Sequence, residues 1–316
     1  MRILIEVPTW LGDAVMITPS LENLLKAYDK PSISFIGTSS SLELFNKFPC
    51  LEKIHHTSKS YIKLIKIYRS IGKYDLFISY RSSLRTLLLR KFINSQKKIQ
   101  FSKDLFRVGH QVERYNSFVN HYLKTSFKPG RLKLYSGESK VIFHGNKPVL
   151  GINPGATYGS AKKWTEAGFS EVIQNLSNKF DIVIFGSKQE EDICNAIENA
   201  ICSSHVTNYK NLCGKTSIQD LMAIIKGLSM FITGDSGPMH IAGAFQIPTV
   251  AIFGPTKYKE TSQWNNKNST IIRKELSCQP CMSRKCPLGH HNCMKLISSE
   301  EVIRGSLELI RKMKVD

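Results

Sequence analysis

Short unbroken apolar runs recur along this chain, and the residues between them fall at helical spacing. "RILIEV", "SISFIG", "YDLFISY", "PVLGIN", "DIVIFG", "SMFITG" and "PTVAIFG" each read as a strand. A strand without polar alternation is covered on both faces, which is the condition of a parallel sheet lying between helices. The helices are supplied by "GDAVMITPSLENLLKAY", "SYIKLIKIYRSIG", "TEAGFSEVIQNLSN", "QEEDICNAIENAI", "SIQDLMAIIKG" and "PMHIAGAF". This alternation excludes all-α and all-β folds and predicts an α/β protein.

The rhythm starts twice, once at Arg2 and again at Pro148, across a charged stretch rich in Pro and Gly at 126–147. We therefore expect two doubly wound units, 1–147 and 148–316, joined by a linker carrying a short strand or two. A terminal helix in "SSEEVIRGSLELIRKMK" opens on a Ser cap followed by Glu, and it is a candidate to pack back on the first unit.

Charge divides unevenly between the halves. Lys and Arg number 25 against 10 Asp and Glu through Lys147, and 19 against 15 beyond it. A basic first half suits an anionic partner, whether nucleic acid, an acidic membrane surface or a phosphorylated glycolipid. No aromatic-plus-basic RNP string or zinc-finger helix is present, so nucleic acid is not expected. No apolar run approaches the roughly 18 residues of a membrane span, and no cleavable signal follows the opening strand. A cytoplasmic location is the expectation.

In open α/β sheets ligands bind beyond the carboxyl ends of strands, where loops enter helices. Three such junctions carry chemistry. After the first strand, "PTWLGDAVM" puts Asp13 next to Gly12 at a helix start, as a partner of the helix dipole or as a general base. In the second half, "NPGATYGSAKKW" holds a hydroxyl-bearing, Gly-rich loop with Thr157 and the lysines Lys162 and Lys163. A lysine there is a mobile point charge for a diphosphate.

The third junction, "TGDSGPMHIAGAF", offers Asp235, Ser236, Gly237 and His240 around a helix start whose free amides attract anions. "GDSGP" also occurs around serine-protease nucleophiles, but those enzymes are paired β-barrels and this chain alternates strand and helix. Neither a Walker-A loop nor a Gly-x-Gly-x-x-Gly fingerprint is matched. Cys278, Cys281, Cys286 and Cys293 form a late cluster that a structural zinc, reduced packing thiols or later oxidation would each explain.

Taken in order, "PTWLGDAVMITPSL", "INPGATYGSAKKW", "LCGKTSIQDLMAII", "TGDSGPMHIAGAF", "PTVAIFGPT" and "CQPCMSRKCPLGHHNCM" resemble the ADP-heptose:lipopolysaccharide heptosyltransferases of glycosyltransferase family 9, type II above all. The resemblance runs from Pro8 to Met294. It implies a GT-B fold, two Rossmann-like domains facing a cleft, with acceptor on the first and nucleotide sugar on the second. It also implies an inverting transfer from ADP-heptose to the heptose–Kdo–lipid A inner core, releasing ADP and requiring no metal for catalysis.

On this pattern Asp13 is the base, with Gly12 beside it. Lys162 and Thr157 meet the phosphates, Glu190 the ribose and Thr216 the adenine. Asp235, Ser236, Gly237 and His240 lie near phosphate and sugar. Arg107, His110 and Arg114 are candidates for the acceptor face, and the expected site of action is the inner face of the inner membrane. The identity of the incoming sugar rests wholly on the resemblance; another nucleotide sugar, such as UDP-GlcNAc, is the alternative.

Overall fold

The computed structural model describes residues 1–138 and 147–313. It divides into two compact units, Met1–Ser136 and Gly137–Asp316, and the division falls inside the 126–147 stretch. Residues 125–138 form neither helix nor strand. Residues 139–146, the other place for a linker strand, lie outside the described residues.

The first unit is a five-stranded sheet of β1 (Arg2–Glu6), β2 (Ser32–Gly37), β3 (Leu51–His56), β4 (Lys73–Ser79) and β5 (Asn94–Gln100), in the order β3-β2-β1-β4-β5. Every pairing is parallel. Central β1 is covered on both faces: Ile3, Leu4 and Ile5 are all fully buried.

The second unit holds β6 (Val149–Asn153), β7 (Asp181–Ile184), β8 (Tyr209–Asn211), β9 (Met230–Gly234), β10 (Thr249–Phe253) and β11 (Ser269–Arg273), in the order β11-β10-β9-β6-β7-β8. Here too every pairing is parallel. All residues of β7, β9 and β10 are buried.

One expected helix is two. Leu11–Met16 and Thr18–Ala27 meet at Ile17. The break follows from Pro19, which has no N–H to donate to the carbonyl of Val15 and whose ring crowds it. The Thr18 hydroxyl takes that carbonyl instead, at 2.8 Å.

The terminal helix Ser299–Met313 packs within the second unit, against helix Glu166–Leu176 and strands β10 and β11. The Ser299 hydroxyl bonds the Glu171 carboxylate at 2.5 Å. Nearby, the Trp164 indole donates to the carbonyl of Ile297 at 3.0 Å and meets Phe169 edge-on.

Strand order also locates the crevices. In the first unit the chain runs outward from β1 through β2 to β3, then returns to place β4 on the other side of β1. In the second it runs from β6 to β8 and returns with β9 beside β6. Loops leaving β1 and β4, and loops leaving β6 and β9, therefore diverge to opposite faces and leave a gap for a ligand.

Candidate functional site

In the second unit the carboxyl ends of β10, β9 and β6 lie side by side and present Thr256, Asp235 and Asn153. The Lys162 ammonium reaches across from the loop after β6 and lies 2.6 Å from Asp235 Oδ2, the two side chains being 13% and 6% exposed. The Thr256 hydroxyl donates to the same oxygen at 2.6 Å. Lys162 Nζ also stands 4.7 Å from the centre of the Tyr158 ring, a cation–π contact.

Asp235 is thus committed to a cation and a hydroxyl, and helix Gly237–Ala244 begins without a side-chain cap. Ser236, its N-cap residue, bonds sideways to Thr233 Oγ1 at 3.1 Å and accepts from Asn153 Nδ2 at 3.3 Å. Gly237 is half-buried at the helix start, and His240 is buried one turn in. The arrangement is a basic point charge beside uncapped helix amides, which is chemistry for a phosphorylated ligand.

Glu190, the expected ribose partner, is buried. One carboxylate oxygen accepts from the Ser187 amide at 2.7 Å and the Ser187 hydroxyl at 2.9 Å, closing a capping box after β7. It lies against Gly155, where a Cβ would sit 2.1 Å from the carboxyl carbon, so only glycine admits this approach. Thr157 is exposed in the loop between Gly155 and Lys162. Thr216 is half-buried and precedes Ser217, whose hydroxyl caps helix Ile218–Lys226 by accepting from the Asp220 amide.

In the first unit Gly12 and Asp13 occupy the first turn of Leu11–Met16, beyond β1. The buried Tyr115 hydroxyl donates to Asp13 Oδ1 at 3.4 Å and ties helix Gln111–Leu123 to this turn. Burial first, then the Asp13 charge, holds the Tyr115 phenol well above its ordinary pKa, so it stays a donor.

His110 is buried and serves as the N-cap of Gln111–Leu123: its Nδ1 accepts from the Val112 amide at 3.2 Å, and the Glu113 carboxylate accepts from its own amide at 2.7 Å. Arg107 is exposed and Arg114 half-buried on the same segment.

Sequence reading passed over Glu6, which is 1% exposed at the end of β1. Its carboxylate accepts from the Ser79 hydroxyl at 2.7 Å and the Tyr68 hydroxyl at 3.0 Å, and lies 3.4 Å from Arg81. Burial raises its pKa, with the Arg81 charge opposing. The polar tail of "RILIE" was its only signal. Asn153, Tyr158, Thr233 and Thr256 were also unassigned, although each stands in one of the strand-end strings.

In the sequence the late cysteine cluster leaves three readings open: structural zinc, reduced packing thiols and oxidation. Among the described residues no three His, Cys, Asp or Glu side chains are grouped to hold a metal ion. All eight cysteines are free thiols. Cys293 is buried against Gly254 and Met294, and burial pushes its thiol up to about 11. Cys278, Cys281 and Cys286 are half-buried. Also among the described residues, no helix is long and apolar enough to cross a membrane.

Two parallel sheets with these strand orders are the architecture of a GT-B-type protein. The chain belongs to glycosyltransferase family 9, the heptosyltransferases, whose family model matches residues 65–292. It is 37% identical over 319 residues to lipooligosaccharide heptosyltransferase 2 of Campylobacter jejuni subsp. jejuni serotype O:2, covering 98% of this chain and 99% of that one. It is 38% identical over 311 residues to the protein of the same name from serotype O:6, covering 96% and 97%. In fold it is similar to the Escherichia coli ADP-heptose lps heptosyltransferase II, with a TM-score of 0.83 at 21% identity, covering 99% of this chain and 100% of that structure.

Proposed function

We propose that this chain moves L-glycero-D-manno-heptose from ADP-heptose to the heptose–Kdo–lipid A inner core, with inversion at the anomeric carbon. The observation that carries the reading is Lys162, held between Asp235 and Tyr158 beside the uncapped start of helix Gly237–Ala244. A likeness along nearly the whole chain to lipooligosaccharide heptosyltransferase 2 supports it.

The chemistry needs positive charge where the diphosphate departs. Lys162 and the helix amides provide it, and they strengthen as negative charge develops on the leaving oxygen. Glu190 meets the ribose, Thr157 the phosphates and Thr216 the adenine, while Asp235, Ser236, Gly237 and His240 line the phosphate and sugar end. Asp13 takes the proton from the attacking heptose hydroxyl, with the Tyr115 hydroxyl holding its carboxylate in place through Oδ1. Gly12, Arg107, His110 and Arg114 belong to the acceptor face. The basic first half docks on the anionic inner leaflet from the cytoplasm, as a peripheral protein.

Titration calorimetry with ADP and UDP, followed by transfer from ADP-heptose to a core truncated after its first heptose, tests this. ADP should bind more tightly than UDP, and one heptose should be added. Preference for UDP, or no turnover of ADP-heptose, would overturn the donor assignment.

A further inference from the structure

We propose that Arg284 is a second cation of the diphosphate site, carried there by the cysteine-bearing loop; this rests on the donor reading above. Lys162 alone is poorly matched to a diphosphate. Its ammonium is already shared with Asp235, and the leaving group gains a further negative charge as the sugar departs.

Tyr158 marks where additional charge stands. Its ring centre is 4.7 Å from Lys162 Nζ and 5.5 Å from Arg284 Cζ, so the two cations are at most about 10 Å apart (4.7 plus 5.5 Å). The ring's π-system attracts each of them, which offsets part of the repulsion between like charges before any anion arrives. A guanidinium also offers a planar fork that fits phosphate oxygens in pairs, which an ammonium cannot do. Arg284 is an exposed residue.

The backbone of the same loop fixes this placement. The carbonyl of Arg284 accepts from the Ala161 amide at 3.0 Å. The Tyr158 hydroxyl donates to the carbonyl of Met282 at 2.6 Å. His291 Nε2 lies 2.9 Å from the carbonyl of Ala161, which can only accept, so the imidazole proton is on that nitrogen. A Cβ on Gly159 would stand 2.3 Å from the Arg284 carbonyl oxygen, so the two strands of chain meet backbone to backbone. Because a carbonyl makes the brace, the Arg284 side chain can be exchanged without undoing it.

The test is calorimetric titration of full-length wild type, R284Q and R284K with ADP and with adenosine, each checked for an unchanged melting temperature. We expect R284Q to weaken ADP about tenfold, R284K to recover most of that loss, and adenosine binding to stay unchanged in both. Wild-type affinity of folded R284Q for ADP would overturn the proposal. So would an equal loss for adenosine, which would make the effect one of loop structure. A wild-type chain that fails to bind ADP would overturn the donor reading, and this inference with it.

Discussion

Replacing Asp235 with Asn is expected to weaken the second unit while tightening its hold on ADP. The Lys162–Asp235 contact is 2.6 Å, with side chains 13% and 6% exposed. At an effective dielectric of about 20 its Coulomb attraction is about 6 kcal/mol before desolvation is subtracted. Removing one partner of a buried pair costs about 3–5 kcal/mol, because the other charge is left uncompensated. Asn still accepts from the Thr256 hydroxyl and keeps the shape of the site, so the lower end, about 3 kcal/mol, applies. For a unit of this size that lowers the melting temperature by roughly 6–12 °C.

ADP reverses the sign. A carboxylate next to the diphosphate repels it and competes for Lys162, and Asn does neither. Relief of about 1 kcal/mol makes ADP bind about fivefold more tightly. Calorimetric melting with and without saturating ADP reads both effects, since ligand stabilisation follows affinity. The variant should melt well below wild type alone and recover more than wild type gains when ADP is added. Equal melting of the two apo proteins, or a smaller ADP-induced rise in the variant, would refute the view that Asp235 holds Lys162 in reserve.

Asp13→Asn should cut turnover at least about 100-fold with ADP affinity nearly unchanged, and near-normal rates would remove it as the base. For Glu6 the folded pKa is raised, so its stabilising contribution is complete below the ordinary carboxylate range and is lost as pH rises through the folded value. Wild type should therefore lose more melting temperature than E6Q between pH 5 and pH 7.5, approximately the window above the ordinary carboxylate range; parallel pH profiles would show that Glu6 does not titrate there. Binding to anionic vesicles should fall steeply as salt approaches about 0.15 M, and binding indifferent to salt and lipid charge would leave the basic first half without its proposed partner.

The strands that the sequence showed and those it hid differ in position. β1, β2, β4, β6, β7, β9 and β10 are interior to their sheets and read as apolar runs. β3, β5, β8 and β11 went unread, and each is a sheet edge. "LEKIHH", "NSQKKIQ" and "YKN" carry lysines because an edge has one side facing water and must discourage further pairing. Apolar patterning registers double burial, so it falls silent at the rim.

The site divides in a similar way. Lys162 and Asp235 were legible because each follows a strand end, and the structure pairs them directly. Thr256 and Arg284 were not, because neither residue type is unusual in a loop. His110 was read as an acceptor-face candidate, and nothing in the sequence signals that its ring also caps a helix, a duty more often given to Ser, Thr, Asp or Asn.

The brace between the loops at Tyr158–Ala161 and Met282–His291 also sets a clock for the growing chain. Asp235 is made 73 residues after Lys162, and His291 follows Ala161 by 130. At about 5–20 residues per second, the interval from Ala161 to His291 lasts roughly 6–26 s. The first unit has all of its strands before Lys162 is even made. The second acquires its ammonium early, its carboxylate later and its clamp last, so the second unit is the final part of the protein to be completed.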